Sequence, residues 1–280
     1  MIVGKKRNTL TRRFVFWFPR VVFLLFILFP FYWTLATAVK PESVVLRLPL
    51  DYVPWPPIFD SFINVWNNLG FDRFFYSSVQ LAGGVLLVVT STAILAGYAM
   101  ARFRFRGMFA VLILFLVTQM FPAILFLVPL VFITKFLGIF NTIWAAIWPQ
   151  AAHTTPFCTV MMIGFYRGVP RELEEAAMID GCNRFTALFR VILPAVLPGI
   201  VATAIFAFID AWNAFLLPFI LINDDNHWPL TVGLNRLLSE YEILWSGICA
   251  GSVLALIPAF IFFAYIQKYL IRGLAGAVKG

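Results

Sequence analysis

The chain has 280 residues, of which 62% are hydrophobic and only 12% charged, with a formal net charge of +8. Soluble domains carry about 25% charged residues, so a soluble globule could not cover this much apolar surface, and the composition predicts an all-α integral membrane protein. Nucleic-acid binding would require a basic face on a folded domain; here the basic residues flank apolar runs instead.

Charge-free runs long enough for about 30 Å of hydrocarbon, roughly 20 helical residues, are Val21–Val39, Ser77–Ala101, Gly107–Thr134, Phe136–Tyr166 and Ile243–Gln267. A further run, Val191–Asn223, is interrupted only by Asp210. Helices and closed barrels are the only spanning solutions, and alternating barrel strands are absent, so six transmembrane helices are expected. The chain divides into a basic tail (1–20), a six-helix membrane domain (21–270) carrying a charged loop (167–197), and a short C-terminal tail (271–280). Lys5, Lys6, Arg7, Arg12, Arg13 and Arg20 precede the first run. No small-residue cleavage site follows it, so it reads as a retained helix rather than a secretory signal.

If the N-terminus is inside, 16 of the 21 Lys and Arg residues fall on inner segments, and only Lys40, Arg47, Arg73, Lys135 and Arg236 lie outside. The positive-inside rule therefore places both termini and the charged loop in the cytoplasm, and the basic tail lies against anionic headgroups. In the second helix Gly83, Gly84, Ala93, Ala96 and Gly97 allow close helix packing. The third contains Gln119-Met120-Phe121-Pro122 and then Pro129, two prolines that each free a carbonyl and kink the helix, as a fixed bend or near a moving gate. His153 in the fourth is a lone histidine suited to packing or the interface rather than a proton relay.

The loop 167–197 has clear helix punctuation. Pro170 suits a first helical position, Glu172, Glu174 and Glu175 suit the first turns, and Gly181 suits a left-handed stop. About three helical turns are expected, then a bend, a second short helix from Asn183 to Arg190 and a stop at Pro194. Leu173, Ala176, Ala177 and Asp180 share one face by three-and-four spacing. In the fifth helix Asp210 is the only acid within a span. It either meets a solute, with Trp212 and Asn213 adding stacking and hydrogen bonds, or makes an internal helix–helix hydrogen bond. Cys158, Cys182 and Cys249 form no CxxC pair and read as small apolar residues rather than disulfide or zinc ligands.

Glu175-Ala176-Ala177, Gly181 and, after nine residues, Val191-Ile192-Leu193-Pro194 resemble the cytoplasmic loop signature of binding-protein-dependent ABC importer permeases. The strings Tyr98–Gly107, Gln119–Pro122 and Arg272–Gly280 look like the carbohydrate-uptake, MalG-like branch. The resemblance implies an ABC importer type I permease-like bundle in a bacterial inner membrane, importing an oligosaccharide, disaccharide or polyol. It also implies a second, MalF-like permease, an ATPase subunit dimer and an extracytoplasmic sugar-binding protein as partners. Glu172, Glu175, Ala176, Ala177, Asp180, Gly181 and Pro194 would couple to the ATPase, and Gln119, Pro122, Asp210, Trp212 and Asn213 would line the substrate path. The sequence has no Gly-x4-Gly-Lys-Ser/Thr phosphate loop, so ATP and Mg would sit on partner subunits, and this chain is not itself an enzyme. The alternative is an ion-coupled secondary transporter using Asp210 and His153.

Overall fold

The computed structural model describes residues 9–235, 237–238 and 243–277, with side chains described from 15 to 265. Residues 1–8 of the basic tail, Arg236 and residues 278–280 lie outside the described set, as do the side chains of the C-terminal tail. Most of the described residues are helical: α1 (Thr9–Ala38), α2 (Glu42–Val45), α3 (Asp60–Asn67), α4 (Phe71–Arg102), α5 (Met108–Met120), α6 (Leu127–Phe136) and α7 (Ile143–Arg167). They continue with α8 (Arg171–Ile179), α9 (Arg184–Ala187), α10 (Leu193–Ala195), α11 (Leu197–Trp212), α12 (Leu216–Leu221), α13 (Leu230–Asn235) and α14 (Trp245–Ala277). The chain forms two compact units, one from Met1–Leu69 with Leu237–Leu254 and the other from Gly70–Arg236 with Ala255–Gly280.

Three helices are long and apolar enough to cross a membrane, and up to five spans result if each of two bent pairs counts as one. Against the expected six, three are continuous apolar helices and two are bent pairs, and α7 is not among these candidate spans. At 25 residues α7 has the length to span, but Gln150, His153, Thr154 and Thr155 dilute its apolar character. The described part of α1 runs from Thr9 to Ala38, so the stretch Thr9–Arg20 is helical.

The third expected helix is broken by 99° between α5 and the stretch Ala123–Phe136. Pro122 makes this break, with extended backbone at φ −58° and ψ 128°. Pro129 does not kink the chain, contrary to expectation. It sits in the first turn of α6, where N–H groups have no helical partner. The fifth helix is bent by 79° where α11 meets the preceding segment Arg184–Ala195, and it ends at Trp212 instead of continuing to Ile222. Pro218 cannot donate to the carbonyl of Ala214; the Thr231 hydroxyl donates to that oxygen instead, at 2.6 Å.

In the first unit, the Glu42 carboxylate accepts from the backbone N–H groups of Trp245 and Ser246 at 2.7 and 2.9 Å, satisfying donors at the start of α14. In the second unit, α4 packs along α7. A Cβ at Gly97 would lie 2.7 Å from Met162 Cβ, and one at Gly199 of α11 would lie 2.3 Å from the Phe165 ring. Gly97 is thus one of the predicted close-packing positions, whereas Gly83 faces open space.

Candidate functional site

The first polar group in the second unit is an elbow. Pro170 caps α8 from just outside it, and Glu172 and Glu174 occupy the first turn, where the dipole favours negative charge. The helix ends in a paired cap: Gly181 N–H donates to Met178 O at 3.1 Å and Cys182 N–H to Ala177 O at 3.0 Å. Gly181 has φ +90°, which L side chains rarely adopt. The Asn183 side chain then accepts from Thr186 N–H at 2.8 Å and starts α9. The second helix does not stop at Arg190. It passes through a π turn at Leu188–Ile192 into α10, which contains Pro194.

The expected shared face is not the face that packs. Glu174 and Ala177 turn inward and are buried, while Glu172, Leu173, Glu175, Ala176 and Asp180 are exposed. Ala177 is therefore not part of an outward surface, because the buried face of α8 lies at 174 and 177, an i,i+3 pair. Ile179 is 86% and Phe185 67% exposed, leaving apolar side chains on the outer face of the elbow.

Glu174 is the residue that the sequence reading passed over. Tyr98 Oη donates to its Oε1 at 2.5 Å, and Arg102 Nε lies 3.2 Å from its Oε2, with only 5% and 7% of the Arg102 and Glu174 side chains exposed. Arg102 Nε pairs by charge, without the alignment of a hydrogen bond, and Arg102 Nη2 donates to Val169 O at 3.0 Å. Tyr98 and Arg102 are four apart on the last turns of α4, so the hydroxyl donor and the guanidinium charge stand on one face and latch α8 to α4.

The second group surrounds a cavity of about 930 Å³ formed by α5, α7, α11, α12 and the Pro122 break. Gln119, Gln150, His153, Asp210 and Asn213 line it together with the rings of Phe126, Phe157, Phe206 and Phe215. Gln119 donates to His153 O at 2.9 Å. Asp210 Oδ2 accepts from Gln150 Nε2 at 2.7 Å and from Thr154 Oγ1 at 2.5 Å. Asp210 thus makes the internal helix–helix hydrogen bonds that its sequence position allowed, and it also borders the cavity. Gln150 and Thr154, again four apart, were not singled out from the sequence. Trp212 does not line the cavity. It is buried, stacks on Phe208 at 5.5 Å and donates from Nε1 to Ala255 O at 3.3 Å. Pro122 shapes the wall by breaking the helix, with Ala123 and Phe126 reaching the cavity.

Replacing Asp210 with leucine is expected to strand the buried Gln150 amide, at a cost of about 1–3 kcal/mol. Thr154 is spared, because its hydroxyl also reaches Gln150 O at 2.8 Å. Asp210→Asn keeps an acceptor oxygen and should lose less. Thermal unfolding in detergent checks the order, and equal midpoints for the two variants would contradict it.

Amide, carboxylate and imidazole groups between aromatic rings suit a neutral solute with apolar ring faces and hydroxyl edges. Among the described residues, no group of three His, Cys, Asp or Glu could hold a metal ion. Helices broken around a largely apolar cavity edged by a few polar groups, with a latched charged elbow, are the features of a polytopic membrane transport subunit.

Residues 93–276 match the binding-protein-dependent transport system inner membrane component family, and the chain belongs to that family. This is the family of ABC importer permease subunits, which lack ATPase sites. The chain is 33% identical over 254 residues to the sulfoquinovosyl glycerol transport permease SmoH of Agrobacterium fabrum, covering 90% of this chain and 89% of that one. It is 34% identical to the diacetylchitobiose uptake permease DasC of Streptomyces coelicolor, with 93% and 95% covered. It is 31% identical to the trehalose/maltose permease MalG of Thermococcus litoralis, with 98% and 99% covered. The fold matches a chain of a bacterial ABC transporter involved in import of the acidic polysaccharide alginate, with a TM-score of 0.78, 19% identity, and 96% and 99% of the two chains covered.

Proposed function

We propose that this permease carries a glycoside or other sugar across a bacterial cell membrane as one of a pair of permease subunits. The second would be MalF-like. Two ATPase subunits would hold ATP and Mg, and an extracytoplasmic binding protein would deliver the sugar. The observation that carries the reading is that the stretch matched to the family contains both the cavity and the elbow, while the three relatives above are named for glycosidic solutes.

The charged loop 167–197 and both termini face the cytoplasm, on the side rich in Lys and Arg. Glu175, Ala176 and Asp180, with Glu172 behind them, meet the ATPase through the exposed outer face of α8, beside Ile179. Gly181 is the turn of the elbow, and Pro194 lies where the second short helix meets α11. Closure of the ATPases pushes α8, the Glu174 latch passes the push to α4, and the helices bordering the cavity exchange outward for inward access. Gln119, Asp210 and Asn213 contact the passing sugar, and the break at Pro122 is where the wall yields.

Co-reconstitution with the partner subunits tests this. Proteoliposomes should accumulate labelled disaccharide only with ATP at the ATPase side and binding protein on the other, and ionophores should have no effect. Uptake by this chain alone, abolished by ionophores and indifferent to ATP, would instead establish an ion-coupled carrier.

A further inference from the structure

A second cavity, of about 550 Å³, opens between the α4–α5 connection and the α7–α8 connection. Arg102, Arg104, Arg167, Arg171, Glu172 and Met108 are in its wall. Arg102 is committed to Glu174 and the Val169 carbonyl. Arg104, Arg167 and Arg171 are exposed and make no hydrogen bond or ion pair among the described residues. Three uncommitted guanidiniums thus face a cleft with one uncommitted carboxylate, Glu172, which leaves an excess of positive charge that an anion would relieve.

The depth of this cleft narrows the choice of anion. The apolar span of α4 ends at Arg102 and α7 ends at Arg167, so the mouth lies where hydrocarbon gives way to headgroups. Phe103 and Phe105 beside it are 40% and 46% exposed, as rings at a membrane interface are. Met108, in the wall, opens the apolar helix α5. Guanidinium forks match phosphate oxygens in bidentate fashion, and basic pockets between membrane helices suit anionic lipid headgroups. A free phosphate would satisfy the arginines but would make no use of the exposed Phe105 ring or of Met108.

We infer that this cavity binds the phosphodiester headgroup of an anionic phospholipid, with the acyl chains running along Met108 and the exposed Phe105 ring. Such a lipid ties the first residue of α8 to the bilayer. The inference rests on the membrane fold alone, so it stands or falls separately from the sugar reading.

The test is native mass spectrometry of the full chain released from detergent, titrated with phosphatidylglycerol, phosphatidylcholine or soluble glycerol 3-phosphate. Phosphatidylglycerol adducts should form on the wild type and weaken about tenfold or more in the triple variant Arg104→Gln, Arg167→Gln, Arg171→Gln, as loss of charge-assisted contacts implies. Arg106→Gln, outside the cavity, should leave binding unchanged, and phosphatidylcholine should bind weakly throughout. Single Arg104→Gln, in a connection between helices, should show a smaller loss and decides the matter if the triple variant does not fold. Unchanged phosphatidylglycerol binding in these variants, an equal loss in Arg106→Gln, or equal binding of phosphatidylcholine would each overturn the site. Displacement of the lipid by equimolar glycerol phosphate would assign the cleft to soluble phosphates instead.

Discussion

Replacing Glu174 with alanine is expected to cut sugar uptake per ATP hydrolysed by about tenfold or more, a drop of about 1.4 kcal/mol or more in coupling, and to destabilise the subunit as well. The Arg102 side chain is 5% exposed, so the variant leaves a buried guanidinium without its counter-ion and a Tyr98 hydroxyl without its acceptor. Breaking a buried pair by removing one partner costs about 3–5 kcal/mol, a large fraction of a typical folding free energy. The double variant Glu174→Leu with Arg102→Met separates stability from transmission. Apolar replacement of a whole buried pair is often neutral, so the melting midpoint should return while uptake per ATP stays low. Glu175→Ala is the counterpart: Glu175 is exposed, so its removal should leave the midpoint unchanged and act only on the ATPase contact. Thermal unfolding with paired uptake and ATPase assays distinguishes the three. Wild-type coupling in Glu174→Ala would remove the latch from the mechanism.

The two polar constructions share a design that explains what the sequence could and could not reveal. In each, two polar groups four residues apart on one helix receive a carboxylate from another: Tyr98 by hydrogen bond and Arg102 by charge receive Glu174, and Gln150 and Thr154 both donate to Asp210. The acid in the second pair was conspicuous because it stands alone in an apolar run. Glu174 was hidden among three glutamates, and local spacing cannot say which face of α8 meets α4, some 76 residues away along the chain. The Gly181 stop was legible because it acts on its own neighbours; Pro170, expected as the first residue of α8, stands just outside it, and Asn183, read only as the start of the second helix, caps it. The proline breaks were only half legible. Pro122 and Pro129 carry the same chemistry, but one falls between helices and the other within a first turn, a difference of register that the flanking apolar residues do not encode. Trp212 has the opposite lesson, since its place next to Asn213 suggested the cavity while the helix carried its ring round to Phe208.

Gly181→Pro is expected to abolish coupled uptake, and a graded series shows why. Gly181 holds φ +90° at the end of α8, and its N–H closes the cap on Met178 O at 3.1 Å. Proline fixes φ near about −65° and has no N–H, so it fails on both counts and the chain must leave α8 in another direction. Alanine keeps the N–H and meets no neighbour within 4 Å. Its cost is therefore conformational, about 1–2 kcal/mol for a left-handed L residue. Asparagine tolerates that region better and should fall between glycine and alanine. Coupling should decline in the order Gly, Asn, Ala, Pro if the elbow angle carries the motion, whereas a mere loop would tolerate all four. Uptake per ATP in proteoliposomes, with expression and melting measured alongside, gives the order. A proline variant with wild-type uptake would mean that the direction in which the chain leaves α8 has no part in transport.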